Sequence, residues 1–123
     1  MKFLCLAYYD VKKMAALSPA GFEALVSQCP AHDETLRKTG RVLMQESLDE
    51  PSLSRSIRPK GGKPFVTDGP FVETKEQVGG FFMIEAKNME EAVMIASKHP
   101  AAHLGEQVGW GVEVRPLGFC GPR

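Results

Sequence analysis

Three histidines, His32, His99 and His103, are the side chains whose ordinary pKa lies near neutrality. Proton transfer is the chemistry they could do. His32 stands beside Asp33, His99 precedes Pro100, and His103 follows in a loop. His32 and His99 lie too far apart in sequence to give the spacing signal of a helical metal motif such as HExxH, and no metal and no cofactor is expected. A carboxylate comes from Asp68 in the turn Thr67-Asp68-Gly69-Pro70, where Asp caps free N–H groups, Gly accepts positive φ and Pro fixes its own. Glu73 and Lys75 follow, either as a surface pair or as the mouth of a cleft. Arg115 is the fixed cation best suited to an anionic ligand; it alternates with valines and would otherwise need Glu113 or Glu85 as company. No nucleophile elbow, phosphate loop, dinucleotide fingerprint or CxxC is present.

These side chains need elements to hold them. Residues 2–9, KFLCLAYY, are apolar at almost every position, with Phe3, Cys5 and Ala7 on one face and Leu4, Leu6 and Tyr8 on the other. Such a strand is covered on both faces. Ser18 caps a helix with Pro19 at its first position, and Phe22, Leu25, Val26 and Cys29 form one helical face. Pro30 predicts a kink or restart. Beyond it the stripe runs through His32 and Leu36 to Gly40 as the C′ residue, which points His32 at the sheet. A buried histidine with one structural hydrogen bond and a general acid or base are both open readings for it.

Strands are expected at 41–48, 52–59 and 64–67, the last two joined by a Lys60-Gly61-Gly62-Lys63 hairpin turn. A stronger strand spans 78–86, with Phe82 and Ile84 on one face and Phe81 and Met83 on the other. Gly79-Gly80 at its start reads as a bulge or a close backbone approach. Asn88 and Glu91 open a second helix that Pro100 closes; His99 at its end reads as a helix-dipole partner or as the group that orients His32. A last strand covers 109–117. The order β-α-β, hairpin, β-α-β fits an α+β, ferredoxin-like split βαβ sandwich with a hairpin insertion. Its helices cover one sheet face, leaving a second apolar face that a two-fold homodimer would cover.

The chain has 123 residues, 43% of them apolar, with 15 Lys and Arg against 15 Asp and Glu. That is one ordinary domain, 1–117 with a tail from 118 to 123, and no basic face for nucleic acid. The opening apolar run is too short for a membrane span and lacks a cleavage site, so no membrane association and a cytoplasmic address are expected. Cys5, Cys29 and Cys120 are odd in number and widely spaced, which argues against a disulfide framework. Cys120 is expected to be exposed near the chain end.

The segments MKFLCLAYYD, LSP, VTDGPFVETKEQVGGFFMIEA and VEVRPL together resemble the YCII-related proteins, in their DGPF-domain branch, over about residues 1–117. The resemblance implies a ferredoxin-like domain that pairs sheets into a dimeric α+β barrel. It implies no settled biochemical function. For some members it implies a His and an Asp together in a cleft, the His matching His32. The Asp belongs to an Asp-Pro step after the second helix, which here is His99-Pro100; Asp68 is the alternative carboxylate. The reading is thus a small-molecule enzyme with a His-centred acid/base, using His32, Asp68 and His99 on a small polar or anionic molecule held by Arg115, Glu73 and Lys75. A non-catalytic dimeric module that binds a ligand, or a regulator linked to sigma-factor-type transcription control, is the other.

Overall fold

A computed structural model describes residues 1–118. Cys120 and all of the expected tail except Gly118 lie outside the described residues. The strand at the start, β1 (Lys2–Asp10), lies in the middle of a four-stranded sheet of order β2-β5-β1-β6, beside β5 (Glu76–Glu85). The edges are β2 (Val42–Ser47) and β6 (Gly111–Pro116). Every neighbouring pair is antiparallel. It follows that β1 runs parallel to β2, and β5 to β6, so each step needs a crossover, and helices supply both. Two interleaved βαβ units of this kind make a ferredoxin-like α+β fold. Between them, β3 (Arg55–Lys60) and β4 (Lys63–Asp68) form a separate two-stranded hairpin. Its turn uses Gly61 and Gly62 at φ 59° and 78°, the tight-turn geometry that glycine allows.

The first crossover is broken in two. Helix α2 (Pro19–Ser27) starts on Ser18, whose Oγ accepts the Gly21 N–H at 3.0 Å. Helix α3 (Cys29–Arg37) restarts after Gln28 with Pro30 in its first turn, where a missing N–H costs nothing. A one-turn helix α1 (Val11–Ala15), not expected from the sequence, precedes them, capped by Asp10. The second crossover is α4 (Met89–Ala96), where Asn88 accepts from the Glu91 N–H at 2.9 Å. Glu91 returns its carboxylate to the Lys87 N–H rather than to the cap residue's own, and pairs with Arg41 at 2.8 Å. The Lys87 N–H first, then Arg41, hold its carboxyl below the usual range.

The helices seal one face of the sheet. Phe3, Cys5, Phe82 and Ile84 have no exposure, and Leu36, Ala92, Ile95 and Ala96 close over them. Burial pushes the Cys5 thiol up to about 11, so it is an inert core residue. On the other face Leu4 stands opposite Met83 and Leu6 opposite Phe81, all half-buried. Met44 on β2 and Glu113 and Arg115 on β6 join them there. No helix of the described residues is long and apolar enough to cross a membrane.

Candidate functional site

The sealed face is not filled along its whole length. Reading across from β1 to β5, the paired core positions are Phe3 with Ile84, then Cys5 with Phe82, then Ala7 with Gly80. Side-chain volume falls step by step, and the last pair leaves a hollow. A bulge lies at the same place, where Gly79 is the extra residue between Gly80 and Val78. A Cβ on Gly79 would stand 2.8 Å from the Tyr9 ring, so the bare glycine lets Tyr9 lie across the strand. Above the hollow, Leu25 of α2 is buried, but Phe22 and Val26 are 50% and 44% exposed. The apolar stripe read from the sequence is therefore partly a wall and only partly a core.

The resulting pocket has a volume of about 570 Å³. Cys29 and Asp33 line it from α3, Gln45 and Ser47 from β2, Asp49 and Glu50 from the loop beyond, and His99, Pro100 and Trp110 from the far side. Gln45 reaches Asp33 at 3.4 Å through its side-chain amide. His99 is fixed twice. Its ring stacks on Phe82 with centroids 4.7 Å apart and planes 1° from parallel, and its Nδ1 accepts the Ala101 N–H at 3.0 Å. With Nδ1 used as an acceptor, the neutral ring carries its proton on Nε2. Burial pushes its pKa below the usual 6.5, while the charge of Asp33 pulls it back up. Burial first, and then the charge of Glu50, push the Tyr9 hydroxyl up, so Tyr9 is a protonated donor. The Cys29 thiol is also raised, by burial and then by Asp33.

Of the residues nominated from sequence, this pocket takes His99 alone. His32 is half-buried and stacks on the exposed His103, ring centroids 4.9 Å apart. Cys29 and Leu36 keep the inward phase of α3, and Asp33, four residues after Cys29, lines the pocket where His32, three residues after it, was expected. Asp68 ends the hairpin with its side chain 93% exposed and pairs with Arg55 at 3.6 Å. Its turn forms as expected, with Gly69 at φ 94°. Glu73 is exposed in the connector. Lys75 stands 3.8 Å from the buried Asp10 carboxylate, which the Lys13 N–H, ahead of Lys75, holds below the usual range. Arg115 lies on the other sheet face, 3.7 Å from Glu113, the company expected for it.

Sequence reasoning missed Asp33, Gln45, Tyr9 and Trp110. One signal for Asp33 was available. Where the resemblance implies a His on the first helix and an Asp before the proline, this chain has His99 before Pro100 and an acid beside His32. Among the described residues no group of three or more His, Cys, Asp or Glu converges as a metal site would require.

The architecture and the hollow define a ferredoxin-like α+β protein with a small-molecule-sized pocket between its sheet and its helices. The chain belongs to the YCII-related domain family, whose model matches residues 1–116. An uncharacterised protein of Rhizobium meliloti (strain 1021) is 29% identical over 122 residues, 99% of this chain and 96% of that one. Among solved structures, 5-chloro-2-hydroxyhydroquinone dehydrochlorinase of Burkholderia phenoliruptrix AC1100, in complex with 2,5-dihydroxybenzoquinone, matches 98% of this chain and 96% of its own. Its sequence identity is 15% and its TM-score 0.46.

Proposed function

We propose that the chain is a small-molecule enzyme that moves a proton in the pocket lined by Asp33 and His99. The observation that carries this reading is the constraint on His99. A structural histidine needs one anchor, whereas this ring has a stack and a backbone hydrogen bond that together leave Nε2–H as its free donor. A neutral imidazole held this way suits hydrogen bonding to an oxygen on which negative charge develops. Asp33, across the same pocket, is the proton acceptor, and the Gln45 amide orients it. Tyr9 supplies a second donor. The test needs no named substrate. Metabolite extract in D2O is incubated with wild type or with His99→Gln and read by mass spectrometry. The expected result is at least one compound that wild type converts or labels with deuterium and His99→Gln leaves alone. If the two samples match, the pocket binds without chemistry.

We further propose a homodimer formed through the open sheet face. Leu4, Leu6, Phe81 and Met83 form a contiguous half-buried patch, and Met44 extends it. An apolar sheet face of this kind is stable against a copy of itself. Leu6→Asp places a charge at its centre. Wild type is expected to sediment as a dimer and the variant as a folded monomer; a monomeric wild type at high concentration removes the proposal.

A further inference from the structure

Charge is distributed around the pocket in one sign only. Three acidic residues line it from the sealed side of the sheet, Asp33, Asp49 and Glu50, and no Lys or Arg does. None of the three takes part in an ion pair among the described residues. Cations nominated from sequence are engaged elsewhere: Lys75 by Asp10 and Arg115 by Glu113. Three aromatic residues, Tyr9, Phe22 and Trp110, line the same pocket.

We propose that this pocket selects its ligand by charge, taking a planar ring compound that is neutral or positively charged and rejecting the matching anion. The claim rests on the reading above that the pocket is a small-molecule site, and it adds the class of molecule. Unpaired carboxylates beside a low-dielectric wall raise the local concentration of cations and lower that of anions. The aromatic faces act in the same sense, because a ring presents negative charge on its face and attracts an ammonium. Gln45, Ser47 and the Tyr9 hydroxyl supply neutral hydrogen-bonding partners, which a neutral ligand can use and which do not compensate an anion. An anionic ligand, the expectation attached to Arg115, would meet Asp33, Asp49 and Glu50 and no Lys or Arg among the lining residues.

The single tryptophan of the chain, Trp110, lines this pocket, so its fluorescence reports occupancy without any assay of turnover. Three probes of one shape are titrated at low salt: benzylamine as the cation, benzyl alcohol as the neutral form and benzoate as the anion. The expected order is benzylamine tightest and benzoate weakest, with at least a tenfold gap between them that shrinks as salt is added. An Asp49→Asn, Glu50→Gln double variant, both changes being at exposed loop positions, is expected to close most of that gap. Benzoate binding as tightly as benzylamine overturns the proposal, as does the lack of a saturable response to all three. His99→Gln separates this claim from the catalytic one. If deuterium labelling is never seen but the probe order holds in wild type and in His99→Gln, selection by charge stands and catalysis falls. If labelling is seen and the order is absent, the reverse follows.

Discussion

Two ends of the same pair of strands have opposite fates. At one end Phe3 faces Ile84 and nothing is left open; at the other Ala7 faces Gly80 and a pocket remains. The register is unbroken from one pair to the other, with the bulge at Gly79 only beyond the second, and side-chain volume falls along it. The ring of Phe82 marks the boundary, with core on one side and His99 stacked on the other. A pocket built this way inherits its rigidity from the sealed end: the His99 imidazole rests on a residue with no exposure.

The sharpest way to break this comparison is to make the same substitution at neighbouring positions. Cys5→Leu adds bulk where packing is complete, and overpacking of this kind costs about 1–3 kcal/mol. Ala7→Leu adds bulk where the hollow is. Burying its extra carbons, at about 0.8 kcal/mol per CH2, is expected to leave stability unchanged or raise it by as much as about 2 kcal/mol, while removing the Trp110 response to any ligand. Urea unfolding of both variants measures this. Two losses of equal size would mean that the Ala7 end is as closely packed as the Cys5 end.

What was legible in the sequence follows the range of each interaction. The two-faced character of β1, the Ser18 and Asn88 caps, the Gly61-Gly62 turn and the restart near Pro30 are local, and each is written within a few residues. The hollow is not local. It depends on Ala7 meeting Gly80 across the ladder, just before the bulge, and neither residue signals it alone. His32 was misread for a related reason. Within α3, His32 and Asp33 stand three and four residues after Cys29, so both border the stripe that Cys29 and Leu36 define, and only the packing around the helix decides that Asp33 lines the pocket. Helix α1 was missed because a single turn has too few positions to show a period, although Asp10 is a good cap.

The smallest expected effect lies at the boundary itself and sharpens the comparison there. His99 has its pKa lowered by burial in the folded chain, so folding favours the neutral ring. Above the ordinary value of 6.5 the ring is neutral in both states and its contribution is constant. As pH falls below 6.5, the unfolded chain takes up a proton that the folded ring refuses, and stability declines until the folded pKa is reached. One proton sets a ceiling of about 1.4 kcal/mol per pH unit on that slope. Asp10 and Glu91, held low in the fold, also lose stability on acidification, but only as pH approaches their ordinary values of 3.8 and 4.5. The interval between about pH 6.5 and 5 therefore isolates the imidazole. Urea midpoints across it are expected to fall with pH in wild type and to stay flatter in His99→Gln. Asp33→Asn is expected to steepen the fall, because the charge that eases protonation of His99 is gone. Equal slopes in wild type and His99→Gln would mean that the ring is as well solvated as in the unfolded chain, and the hollow would then be an open groove with no hold on its histidine.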